Sequence, residues 1–156
     1  MRRRQVWLAV FILAICASPL YPRIGETLDQ CRERYGEEII VAEEFTIFRS
    51  GDYVIAVRFY DRVVDFIVYQ KPNRAFPDLS ERLTYEEIAV LLEANANERE
   101  WVDRRVISMD REWLTTDGQL FAVYFTTEPE LVIATRDALE RDAAAKKEQE
   151  NEVPSD

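Results

Sequence analysis

From residue 24 onward the apolar positions switch between two spacings, and each switch marks an element. Leu28, Cys31 and Tyr35 stand at i, i+3 and i+7, one face of a short helix. Thr27 and Gln30 before and within it have capping-box spacing, and Gly36 follows as a stop where a left-handed residue suits the chain. The spacing then falls to two. Phe45 to Phe48 leads to a turn at Ser50-Gly51-Asp52, and Tyr53, Ile55, Val57 and Phe59 alternate with Val54, Ala56, Arg58 and Tyr60. Asp61-Arg62 turns the chain again and Val64 to Tyr69 returns, which reads as a three-stranded antiparallel meander.

The same order recurs. Pro72 and Pro77 make residues 72–82 a linker. Thr84 and Glu87 then form a second capping box, with Leu83 before the cap and Ile88 after it placed as a hydrophobic staple. Ile88, Leu91 and Leu92 supply a buried stripe, and the helix ends near Asn95 to Asn97. Strands are expected around Arg105 to Met109, at Trp113 to Thr115, from Leu120 to Phe125 and from Leu131 to Thr135, with turns at Asp117-Gly118 and Glu128-Pro129. A final helix is expected from Ala138 to about Glu150, capped by Asp137 and Glu140, and the polar end from Glu148 reads as frayed or disordered.

This pattern predicts an α+β fold. Two helix–meander units, residues 24–71 and 83–136, share one antiparallel sheet with helices on one face, and a charged helical tail covers 137–156. A three-stranded meander with one helix buries little surface alone, so the units are expected to share a core within a single domain, residues 18–136. The strand from Tyr53 has one strongly apolar parity and one smaller, more polar parity. One face of the sheet is therefore expected to be core and the other half-exposed.

The first residues read as an address. Arg2, Arg3 and Arg4 precede an apolar run from Val6 to Cys16, the length of a signal-peptide core and shorter than the about 20 residues of a spanning helix. Ala17, with Ile15 two residues before it, is the best cleavage site, giving a signal peptide at 1–17. Retention as a membrane anchor and lipidation at Cys16 are the alternatives. Cleavage would leave Cys31 as the one cysteine, placed on a helix face where it acts as a small hydrophobe.

Composition narrows the chemistry. The chain has 156 residues, 30 Asp and Glu against 20 Lys and Arg, and a formal charge of −10, which disfavours nucleic-acid binding. It has no His, so the commonest general base and metal ligand are missing. No CxxC, GxSxG, Walker A or GxGxxG motif occurs, and no cofactor is expected. Glu43-Glu44 would point to opposite faces of a strand. Asp110, Glu112 and Asp117 lack the order of a calcium loop, and Arg104, Arg105 and Arg111 make a small basic spot. The aromatics are more informative: Tyr60, Trp113 and Tyr124 are the residues singled out as a protein-binding surface on the sheet.

Ile24-Gly25-Glu26-Thr27, Cys31 and Arg34-Tyr35-Gly36 resemble the opening of a group of small uncharacterised exported bacterial proteins. Tyr69-Gln70-Lys71, the run from Leu91 to Ala96 before Trp101, and Trp113 before Asp117-Gly118 extend the resemblance over residues 24–135. The helix–meander order is also similar to the fold of β-lactamase-inhibitor proteins and of the small lipoprotein of the outer-membrane assembly machine. The chain departs from these in its poor lipobox and in lacking two disulfide pairs. The resemblance implies no catalytic residue. The expectation is an exported, non-enzymatic domain that binds a protein or envelope component, periplasmic or extracellular, touching membrane only through its leader. A tethered structural protein and a carboxylate-based hydrolase are the alternatives.

Overall fold

The computed structural model describes residues 23–76, 79–104 and 110–152. The elements run α1 (Leu28–Tyr35), β1 (Ile40–Val41), β2 (Thr46–Ser50), β3 (Tyr53–Tyr60), β4 (Val63–Pro72), β5 (Ser80–Glu81), α2 (Tyr85–Asn95), β6 (Trp101–Arg104), β7 (Arg111–Thr115), β8 (Leu120–Phe125), β9 (Glu130–Thr135) and α3 (Arg136–Glu152). Among the described residues three helices and one large antiparallel sheet make the fold α+β. The strands lie side by side in the order β1-β2-β3-β4-β9-β8-β7-β6, and β5 pairs with the end of β4.

Both capping boxes form. Gln30 N donates to Thr27 Oγ1 and Thr27 N to Gln30 Oε1, while Glu87 N donates to Thr84 Oγ1 and Thr84 N to Glu87 Oε2. Each box satisfies two amides that a helix start leaves without intrahelical partners. Asp61-Arg62 is a two-residue turn with both φ angles positive, 49° and 70°, the twist that joins two strands without splaying them. Leu83 and Ile88 are both buried in the core, as a staple requires.

Register explains the core. Phe48, Ile55 and Tyr69 stand abreast, followed across β4 and β9 by Leu131 and then Tyr124 on β8. Val57, Ile67, Ile133, Ala122 and Trp113 form the next row. All are buried, and Cys31, Ile88, Leu91 and Leu92 join the same cluster. β9 is buried at four consecutive positions: Leu131 and Ile133 belong to the core, and on the other face Val132 and Ala134 lie between Val68 and Phe66 on β4 and Val123 and Phe121 on β8.

A buried amide ties this core together. Asn95 Oδ1 accepts from Ile24 N at 3.1 Å, and its Nδ2 donates to Tyr69 Oη and Leu91 O, both at 2.9 Å. One side chain thereby links the start of the domain, the end of α2 and the middle of β4.

Several boundaries differ from expectation. β4 runs on to Pro72, and the linker folds back through β5, where Lys71 and Pro72 pair with Glu81 and Ser80. Proline is tolerated there because it ends the strand. α3 begins at Arg136 rather than Ala138, and its third amide, Ala138 N, is held by Thr135 Oγ1 rather than by Asp137 or Glu140. The helix also continues through Glu148 to Glu152. The strand expected from Arg105 to Met109 lies outside the described residues, and pairing with β7 starts at Trp101. The leader at 1–17 also lies outside them.

Candidate functional site

Alternation along each strand leaves a second face, and its middle row is apolar. Ile47 on β2, Ala56 on β3, Val68 on β4, Val132 on β9 and Val123 on β8 stand abreast in register. Ile47, Ala56 and Val68 are half-buried, whereas Tyr53, Ile55 and Val57 at the intervening positions of β3 are buried. One end of the row reaches the edge strand, where Ile40 pairs with Ile47 and is exposed.

Beside this row the face is crossed by a chain of charges. The register shifts between Arg58 and Phe59: Arg58 pairs with Phe66 and Phe59 with Val64, so Asp65 is an extra residue on β4. A bulge of this kind re-aims a side chain. Here it turns Asp65 to the same side as Arg58, whose Nε donates to Asp65 Oδ1 at 3.4 Å. Arg141 Nη2 on α3 donates to the other Asp65 oxygen, and Arg58 Nη1 donates to Asp142 Oδ1 at 2.9 Å. The Asp65 side chain is 7% exposed, so its charge is sustained by two guanidinium groups rather than by water. Arg58 also lies 4.8 Å above the Phe66 ring, and Phe45 meets that ring edge-on at 6.0 Å. Burial opposes the Arg58 charge, but the bonds to Asp142 and the field of Asp65 outweigh it and hold its pKa above the ordinary value.

The three aromatics singled out from the sequence do not form one surface. Tyr60, at the end of β3, is 54% exposed, with Arg141 stacked 3.6 Å from its ring centre. Trp113 and Tyr124 are 6% and 5% exposed and belong to the core, which corrects their assignment to a binding surface. The physical reason is parity. Both face the side carrying α2, where Tyr124 Oη accepts from Leu83 N at 3.0 Å. Arg111 lies 5.0 Å from the ring centres of both Trp113 and Tyr85 and pairs with Asp103 at 2.6 Å.

The other charged candidates do not converge. Glu43 and Glu44 are exposed. Asp110 and Asp117 lie at opposite ends of β7, Asp110 accepting from Thr126 N and Asp117 from Thr115 Oγ1, Gln119 N and Arg99 Nε. Among the described residues no three His, Cys, Asp or Glu side chains group so as to hold a metal ion. Sequence reasoning missed Asp65. Its one signal was an acid inside the apolar run Val63-Val64-Asp65-Phe66-Ile67-Val68.

The fold and site thus define an α+β protein with a half-exposed apolar sheet face bordered by a charge chain. No family model matches the chain, and no curated protein or solved structure matches it either.

Proposed function

We propose that this chain is an exported, non-enzymatic domain that binds another protein of the bacterial envelope through the second face of its sheet. The observation that carries the reading is the row Ile47, Ala56 and Val68, apolar side chains left half-buried in register across three strands. Such rows are suited to burial against a partner. Export rests on the arginine-rich, apolar start of the sequence and on the resemblance drawn over residues 24–135. We read the domain as two helix–meander units. In support, the two capping boxes precede two strand sets whose last members, β4 and β9, pair at the middle of the sheet.

The test is capture from envelope extract of the source bacterium, with full-length protein compared against Val68→Glu. A partner retained by the wild type and lost from a variant of unchanged circular dichroism supports the reading. Equal capture by both overturns the assignment to this face. Mass spectrometry of the native N-terminus tests export: a start at Ser18 fits cleavage, a diacylated Cys16 establishes a lipoprotein, and an intact Met1 contradicts processing.

A further inference from the structure

The charge chain joins a helix to a face that the helix barely packs against. α3 runs from Arg136 to Glu152, and Ala138 is its one buried side chain among the described residues, with Leu139 and Arg141 half-buried. From Asp142 to Asn151 every position is exposed. Where the helix passes β7 and β8 it leaves an open cleft of about 300 Å³, with Leu114 and Phe121 on the sheet side and Leu139 and Ala143 on the helix side. Beyond Leu139 no described residue of the helix is a buried apolar side chain, so its far part is not seated by apolar packing. Its first turn is anchored by the buried Ala138 and by Arg136, which donates to Gly118 O and Gln119 O, and beyond that turn its hold on the sheet comes from Arg141 on Asp65 and Tyr60 and from Asp142 on Arg58.

We propose that α3 is a releasable strap, fastened over the second face by the Arg58–Asp65–Arg141–Asp142 latch, and that its release enlarges the apolar surface offered to a partner. The proposal rests on the reading of that face as a binding surface. Regions with few buried apolar contacts open below the global unfolding free energy. Two ion pairs fasten the strap, Arg141 on the buried Asp65 and the more exposed Asp142 on Arg58, so its closure depends on salt more than the apolar core does. Opening would uncover Leu114 and Phe121 beside the row through Val68.

Hydrogen–deuterium exchange on the full-length chain tests this without a partner, so its outcome is independent of the binding reading. The α3 amides near Leu139 to Lys146 are expected to exchange faster than those of β4 and β9 in the wild type. Asp142→Asn and Arg141→Gln, both at partly exposed positions, are expected to speed α3 exchange by about tenfold while leaving β4 and β9 unchanged. Raising salt to about 1 M, where the Debye length falls to about 3 Å, is expected to bring the wild type towards the variants. Asp65→Asn is the harsher variant, because it leaves two guanidinium groups without their shared carboxylate. Equal protection of α3 and β9 in the wild type, or variants and salt without effect on α3, overturns the strap.

Discussion

Cys31 sits fully buried on α1, and burial, reinforced by the charge of Glu26, pushes its thiol up to about 12. A thiol so placed reacts through openings of the fold rather than as a surface thiolate. At pH 8 native protein should leave Cys31 unmodified by iodoacetamide over a time that fully alkylates it in denaturant, as read by peptide mass mapping. Rapid native labelling would contradict the burial. Its place was legible from the helical spacing of Leu28, Cys31 and Tyr35. Asn95 was not legible, because an asparagine at a helix end is ordinarily a solvated stop. Its partner Ile24 is 71 residues away in the chain, and no local pattern carries that information. Asn95→Ala leaves the Ile24 amide and the Tyr69 hydroxyl without this partner in the core. It is expected to cost about 2–3 kcal/mol in urea unfolding, against a near-neutral change for Glu93→Ala at an exposed position of the same helix.

At the scale of elements the capping boxes offer the sharpest check. Thr84→Ala should lower stability by about 1 kcal/mol, and Thr84→Ser should restore most of it, since either hydroxyl accepts from the Glu87 amide. Equal melting temperatures for all three proteins would show that the cap is energetically idle. Elements with long periodicity or capping chemistry were legible: α1, α2, and the strands β3, β4, β8 and β9. β1 and β5 were not, since two residues give no alternation to count. The bulge in β4 was also hidden, because a slip of one residue reverses which side chains share a face. That slip moves Asp65 to the second face. Trp113 and Tyr124 were misassigned for a related reason: parity within a strand is visible in sequence, but which parity meets α2 is decided by tertiary packing.

For the whole molecule, Glu87 joins helix to sheet. Tyr53 Oη on β3 and Lys71 Nζ on β4 donate to Glu87 Oε1 at 2.9 and 2.8 Å. Burial disfavours the charge, but the bonds from Lys71, the Thr84 amide and Tyr53 outweigh it and hold the carboxyl down from 4.5 to about 2. A depressed acid contributes stability that is complete above its unfolded value and disappears as pH falls through its folded value. Unfolding free energy should therefore drop between about pH 4.5 and 2, and Glu87→Gln should flatten that slope; an unchanged slope would remove Glu87 from the account. The joint is only partly buried, and solvent screening keeps its contribution small.

The central claim is that the sheet's second face binds a protein, and site-specific photo-crosslinking in living cells tests it most directly. A benzoylphenylalanine at Val68 of the full-length chain should give one discrete adduct, absent when the same group replaces the exposed Lys146. Excess wild-type protein should compete that adduct away, and an Ile47→Glu competitor should not. No adduct at Val68, or equal competition by the wild type and Ile47→Glu, would contradict the claim.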